Sequence, residues 1–388
     1  MRICFLFNHD QIHQVAHSLP IALAMARMGV GAEILVATTN ARLSDEVRIL
    51  GGDAIGRSIT LIELGLRSPV SRLLAGALER VAPATKLLVY RDNLDFFRSL
   101  DILVVAEKTS LVLKTRYGLD HLRIVHTRHG AGDRAIGFDK ASALFDHILV
   151  SGPKIRERLI GETGVDPARI SMTGYPKFDV VDPAGPAHIL RDDGRPVVLY
   201  NPHPSPHLSS WYRWGRQILD WFVEHDDYQL IFAPHVMLFE RPFVITIDRL
   251  RIDRPGRIAE RYARAPNIHI DLGSRISTTM AYTNRADIYL GDVSSQIYEF
   301  LLRPRPCLFL NSQALDTGND PNFAHWQAGP VVDDMADFGR LLAETQRLHA
   351  DIYKPIQQRM FDRSFDLTDE PSSLRAARAI AMLCESPR

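Results

Sequence analysis

Residues 288–310 read IYLGDVSSQIYEFLLRPRPCLFL. Ile288–Leu290 is a short apolar run, and Gly291-Asp292-Val293-Ser294-Ser295 is a turn of small and polar residues. Gln296–Leu302 then repeats its apolar positions at helical spacing, and Cys307–Leu310 is apolar again. A strand covered on both faces needs apolar residues at successive positions, and a helix between two such runs is the crossover that joins parallel neighbours. The stretch therefore predicts a strand–helix–strand unit of a parallel sheet. Its serine turn falls at the carboxyl end of the first strand, where open α/β sheets bind ligands.

The same alternation recurs on both sides. Pro196–Tyr200, Gln229–Phe232 and Ile268–Ile270 complete a second set of strands with the two already named. An earlier set runs through Arg2–Phe7, Glu33–Thr38, Asp101–Val105, Arg123–Thr127, His147–Ser151 and Ile170–Thr173, with a helix over Ile12–Met28 that stops at Gly29 and Gly31. Between the sets lies PAGPAHILRDDGRP, residues 183–196, where prolines, glycines and clustered charge interrupt any regular element. The expected architecture is α/β, with two Rossmann-like domains facing each other across a cleft. They are an N-terminal domain over 1–182, a linker over 183–196 and a C-terminal domain over 197–352. Helices in 353–388 cross back to the first domain, and Pro371–Leu383 forms the last of them.

Composition narrows the function. The 388 residues are 46% hydrophobic and 24% charged, enough for two separate cores. Lys plus Arg and Asp plus Glu each number 46, so no global basic field is available to hold a polyanion, and nucleic acid is excluded as the main partner. Cys4, Cys307 and Cys384 show no paired spacing, which argues against a disulfide framework or a cysteine zinc site and fits a reducing cytosol. Ile3–Phe7 is too short for an export signal, and no run of eighteen uncharged apolar residues follows. Arg67, Arg72, Arg80, Lys86 and Arg91 alternate with Val70, Leu73, Leu74, Leu78, Val81 and Leu87–Val89. That pattern suits either a solvated helix face or contact with an anionic membrane surface. The expected location is thus cytoplasmic, with a peripheral place on the inner face of the membrane as its extension.

Several residues carry candidate chemistry. Ser294 and Ser295 sit where backbone N–H groups and hydroxyls meet an anion at a helix start, although a serine there also serves as an ordinary N-cap. His129, in HGAGDR after Arg123–Thr127, has the intrinsic pKa of a general base, and Arg128 and Arg134 flank it as anion ligands; the competing role is a loop histidine satisfied by backbone. His235 follows Gln229–Phe232 in FAPH, and the stiff loop Asn201–His207 follows Pro196–Tyr200. His9, His13 and His17 recur every four residues, so helical spacing puts them on one polar, acceptor-side face; a zinc site there lacks the glutamate of HExxH. No Asp-x-Asp occurs, so charge neutralisation falls to helix starts, His and Arg. No cofactor is called for, and a divalent-metal requirement is left open.

Taken in order, HGAGDRAIGF from His129, ISMTGYPKFDVV from Ile170, VVLYNP from Val197, LIFAPH from Leu230 and LGDVSSQIYEFLLRPRPCLF from Leu290 resemble the CDP-glycerol glycerophosphotransferase family of teichoic-acid synthesis. The resemblance spans roughly residues 100–312. It implies a GT-B fold, with an N-terminal acceptor domain and a C-terminal nucleotide-donor domain, and transfer of glycerol phosphate from CDP-glycerol to a glycan or lipid-linked acceptor with release of CMP. It makes His129 the base and His235 its catalytic partner. Ser294, Ser295, Asp292 and Arg134 become donor-phosphate ligands, and Gly174, Tyr175, Pro176 and Glu299 nucleotide contacts, with His9 and His13 on the acceptor side. Ala131-Gly132-Asp133-Arg134 departs from the Thr-Pro-Leu-Lys usual after the family's His-Gly, and Val236 replaces a proline. A GT-B glycosyltransferase or nucleotide-sugar 2-epimerase, and a non-catalytic nucleotide- or glycan-binding scaffold, are the alternatives.

Overall fold

Burial of alternate side chains on opposite faces explains why Arg2–Phe7 becomes the central strand of a sheet. The computed structural model describes residues 1–9, 11–78, 84–128, 130–133, 137–181, 190, 192–240, 242–246, 251–318 and 320–385, except the side chains of 76–78, 84, 245, 246 and 251. The chain divides into two units. The first comprises Met1–Ala131, Ile136–Val180 and Arg363–Arg388, and the second Gly132–Ala135 and Val181–Asp362.

The first unit holds seven strands, β1 (Arg2–Phe7), β2 (Glu33–Thr38), β3 (Thr60–Glu63), β4 (Ile102–Val105), β5 (Arg123–Thr127), β6 (His147–Val150) and β7 (Ile170–Met172). They pair in the order β3-β2-β1-β4-β5-β6-β7, all parallel. Cys4 and Leu6 pack in one layer with Leu35, Leu103, Ile124 and Ile148, while Ile3, Phe5 and Phe7 pack in the other with Val36, Val104 and Leu149. This two-residue period is the pleat itself, and helices on both faces account for the unbroken apolar runs. The helix Val15–Met28 covers the second layer and ends at Gly29 in the left-handed conformation, as Gly29 and Gly31 in the sequence require.

The C-terminal helix Ser372–Glu385 lies on the same face, its Ala376, Ala377 and Ile380 buried against Val15–Met28 and the sheet. Small side chains let the two helices approach, and glycines clear the approach of the returning chain. A Cβ on Gly152 would stand 2.6 Å from the Ser364 carbonyl. Asp179 caps the helix, accepting from the amides of Ser372 (3.2 Å) and Ser373 (2.6 Å).

The second unit contains β8 (Val197–Asn201), β9 (Gln229–Phe232), an antiparallel pair β10 (Val244–Thr246) and β11 (Arg251–Asp253), then β12 (Ile268–Ile270), β13 (Ile288–Gly291), β14 (Cys307–Leu310) and β15 (Val331–Val332). Its parallel sheet runs β12-β9-β8-β13-β14-β15. Val198, Tyr200, Leu230, Phe232, Ile288, Leu290, Leu308 and Leu310 form its core with Trp211, Ile218, Leu219 and Phe222 of the helix Trp211–Glu224.

The basic and apolar stretch forms the helices Pro69–Leu78 and Ala84–Asp92. Asp92 accepts from the amides of Arg67 and Ser68, both at 2.9 Å, and from Ser71 Oγ at 2.7 Å, which anchors the start of the first helix. Val70, Leu73 and Leu87 are exposed, Leu73 at 76%. Among the described residues, no helix is long and apolar enough to cross a membrane.

Candidate functional site

In the second sheet β9 pairs with one edge of β8 and β13 with the other, so the chain changes its direction of travel across the sheet at β8. The carboxyl ends of the strands at such a reversal form the ligand crevice of an α/β sheet. Three loops meet there in this unit: residues 202–210 after β8, Ala233–His235 after β9, and the serine turn after β13. Asn201 ties them together, its Nδ2 donating to the Ala233 carbonyl at 2.6 Å and its Oδ1 accepting from Ser294 Oγ at 3.2 Å.

Asp292 fixes the serine turn from below. Its side chain is buried, and Oδ1 accepts from the amides of His203 and Val293, both at 2.8 Å. Oδ2 accepts from the Ser210 amide at 2.7 Å and from Ser210 Oγ at 2.9 Å. Burial pushes this carboxyl up from 3.8 to about 6, while the amides and hydroxyl of Ser210, His203 and Val293 pull it down. The charge is thus spent on shaping two loops.

Ser294 Oγ also accepts from the Gln296 amide at 3.2 Å, the ordinary capping bond, while Ser295 is exposed and makes no side-chain cap. The helix that follows, Gln296–Phe300, is five residues long, so its dipole contributes no more than one turn can supply. Glu299 is buried within it. His203 and His235 stand at the ends of adjacent strands with ring centroids 6.3 Å apart. Nδ1 of His203 accepts from the Ser205 amide (3.0 Å) and Nδ1 of His235 from the Met237 amide (3.3 Å), so each neutral ring carries its hydrogen on Nε2.

His129 and Arg134 lie outside the described residues. The neighbouring Gly132 and Asp133 belong to the second unit. A Cβ on Gly132 would fall 2.9 Å from Ser295 Cβ, and Asp133 accepts from Tyr298 Oη. Arg128, by contrast, donates to the Gly137 carbonyl at 2.7 Å and stacks over Phe138, and burial beside Arg158 lowers its guanidinium to about 10.

In the first unit His9 is buried just beyond β1, edge-on to Phe7, and accepts on its carbonyl from Asn40. His13 lies in the short turn Ile12–Gln14, and only His17 lies in the helix, which begins at Val15. The expectation that the three share one helical face is therefore corrected, because the chain is not helical at His9. Among the described residues no group of three or more His, Cys, Asp or Glu side chains could hold a metal ion.

Gly174, Tyr175 and Pro176 receive the returning C-terminal segment. Gly174 adopts φ +78, and a Cβ on it would meet Ser372 Oγ and stand 3.0 Å from the Asp366 carbonyl. The Tyr175 amide donates to Ser372 Oγ at 2.9 Å, and its buried ring packs on His17, Phe178 and Phe365. The sequence did not announce this packing role. Nor did it single out Ser210, Tyr298 and His325.

Two parallel α/β sheets of seven and six strands in one chain place the protein in the GT-B class of fold. The sequence matches no protein-family model and no curated protein. Its solved structural neighbours include the wall teichoic acid polymerase TagF, at 14% identity and a TM-score of 0.60, with 99% of this chain and 88% of that one covered. The S. aureus MnaA–UDP co-structure has 14% identity and a TM-score of 0.62 over 99% and 97% of the two chains. UDP-GlcNAc 2-epimerase from Neisseria meningitidis, bound to UDP-GlcNAc, has 14% identity and a TM-score of 0.59 over the full length of both. At such identities the likeness is one of fold.

Proposed function

We propose that this chain is a GT-B transferase that moves glycerol phosphate, or a related polyol phosphate, from a CDP-activated donor to a hydroxyl of a glycan or lipid-linked acceptor, releasing CMP. His129 takes the proton of the attacking hydroxyl. Ser294, Ser295 and the amides of their turn hold the donor phosphates with Arg134, and His235 donates to the charge that develops on them. Asp292 acts through the turn it shapes, since a carboxylate would itself repel phosphate. Glu299 and the segment Gly174–Pro176 serve the nucleotide, the latter through the C-terminal segment it seats, and His9 and His13 serve the acceptor. The exposed apolar and basic face around Leu73 and Leu87 suits a lipid surface on the inner side of the membrane, where a lipid-linked acceptor is found.

The observation that carries this reading is the seat of Gly132 against Ser295. Gly132 follows His129 by three positions in the chain, a short tether from a base there to the turn proposed to hold the phosphates. A base and a phosphate turn joined by so short a tether suit removal of a proton beside the donor's phosphates. Proton transfer by a placed base is worth about 10²–10⁴ in rate.

A second reading, a nucleotide-sugar glycosyltransferase or 2-epimerase, draws support from neighbours with bound UDP and UDP-GlcNAc that match the chain over its whole length. Incubation with CDP-glycerol and, separately, with UDP-sugars decides between them. CMP release dependent on acceptor supports the transferase, UDP release or sugar epimerisation replaces it, and binding without turnover of any donor leaves a scaffold.

A further inference from the structure

Three buried polar side chains of the second unit, far apart in sequence, meet beneath the serine turn: Asp133, Tyr298 and His325. Tyr298 Oη donates to the Asp133 carboxyl, at 2.7 Å from Oδ1 and 2.6 Å from Oδ2. His325 Nδ1 lies 3.1 Å from Asp133 Oδ2, and its Nε2 lies 3.2 Å from the main-chain carbonyl of Asp292. Trp326 Nε1 donates to that same carbonyl at 3.1 Å.

The hydrogens can be counted. A carbonyl oxygen only accepts, so Nε2 carries a hydrogen. The contact between Nδ1 and Oδ2 needs one more, held either as imidazolium on carboxylate or as imidazole on carboxylic acid. Ring and carboxyl therefore share a proton inside the protein. Burying such a pair is costly, and well-packed apolar residues often serve stability as well or better, so its place suggests a positioning task. One end is Asp133, four residues after His129; the other is the carbonyl that precedes Val293-Ser294-Ser295.

We infer that Asp133, His325 and Tyr298 are positioning residues, a buried clasp that fastens the segment following His129 to the turn that holds the donor phosphates. The inference rests on the transferase reading of that site. Asp133→Ala removes the carboxyl that both Tyr298 and His325 meet, which opens the clasp. Tyr298→Phe removes one bond and leaves the pair with His325 intact.

The test measures steady-state kinetics with CDP-glycerol and amide hydrogen exchange on the full chain, for wild type, Asp133→Ala, His325→Gln, the double variant and Tyr298→Phe. A misplacement of about 1 Å can cost about 10² in rate. Each of the first two variants should lose about a hundredfold in kcat with KM for the donor within about threefold. The double should be no worse than the poorer single. Exchange should quicken together in 130–133 and 292–296, and Tyr298→Phe should lose under about tenfold. Multiplying losses, a raised KM at unchanged kcat, or unchanged exchange in folded variants would each overturn the clasp. If the wild type turns over no CDP-activated donor, the transferase reading fails, and the exchange arm still decides the clasp: coupled loss of protection in the two segments keeps it, independent behaviour removes it. Should the first two variants not fold, exchange of the wild type in rising denaturant decides: opening of the two segments in one step keeps the clasp, and separate openings remove it.

Discussion

Replacing Gly174 by alanine should release the C-terminal helix from the first unit. Gly174 sits at φ +78, where an L-residue pays about 1–2 kcal/mol. The new methyl would meet Ser372 Oγ and approach the Asp366 carbonyl to 3.0 Å and Ser372 Cβ to 3.1 Å, an overpacking worth about 1–3 kcal/mol. Moving Ser372 also strands the buried Tyr175 amide, whose bond to Ser372 Oγ is 2.9 Å long, at about 1–3 kcal/mol. Together these give about 3–8 kcal/mol, felt first in Ser372–Glu385, whose start is held by this contact and by the cap from Asp179. Urea unfolding combined with hydrogen exchange of residues 372–385 measures it. Ser372→Ala alone should cost about 1–2 kcal/mol, and the double variant should cost less than the sum, because removing the hydroxyl relieves part of the clash. A Gly174→Ala protein within about 1 kcal/mol of wild type, or strictly additive variants, would show that this glycine is not there for close approach.

The remaining predictions concern the second unit and its tether. His129→Ala should lower turnover by about 10²–10⁴ while calorimetry finds donor affinity within a few-fold; an equal loss of binding would remove its role as base. Ser294→Ala combined with Ser295→Ala should weaken nucleotide-diphosphate binding at least tenfold by calorimetry, with CMP affected less, and unchanged affinity would refute the phosphate site. The Asp292 carboxyl titrates in the folded protein at about 6, above its ordinary 3.8, so the native state holds that proton more tightly than the unfolded chain. Its contribution therefore falls as pH rises from about 4 to 6 and stays level above, a change of about 3 kcal/mol. Urea melts of wild type and Asp292→Asn across that range should show the difference shifting in the variant's favour by about that amount; a constant difference would mean the carboxylate is not buried as described.

The strands were legible wherever both faces of a sheet are covered, since the bodies of Arg2–Phe7, Glu33–Thr38, Gln229–Phe232 and Cys307–Leu310 then read as apolar runs; these four, and Arg123–Thr127 and Ile268–Ile270, which His126 and His269 interrupt, keep their limits in the structure. Thr60–Glu63 escaped notice because it is an edge strand, half-exposed and ending in a charge. Val331–Val332 is too short to carry a period, and β10 and β11 pair only with each other. The serine turn was legible because strand, turn and helix are consecutive in the chain.

What the sequence hid is of one kind: polar side chains whose purpose lies in a partner far along the chain. Asp133 reads as a charge in a glycine-rich loop until Tyr298 and His325 stand against it, 165 and 192 positions later. Asp292 reads as a phosphate-site acid until its oxygens are found on the amides of His203 and Ser210, about ninety positions upstream. In both cases the type of residue is visible and its direction is not, and direction decides whether a carboxylate meets a ligand or the backbone that shapes the ligand's seat. Local pattern can propose Ser294 and Ser295, since a turn donates to an anion through its own consecutive amides. The groups that hold the turn still from elsewhere, Asn201, the amides of His203 and Ser210, and His325, come from β8, the loop after it and the segment after β14, and only the order of strands in the sheet brings them to Asp292 and the serines.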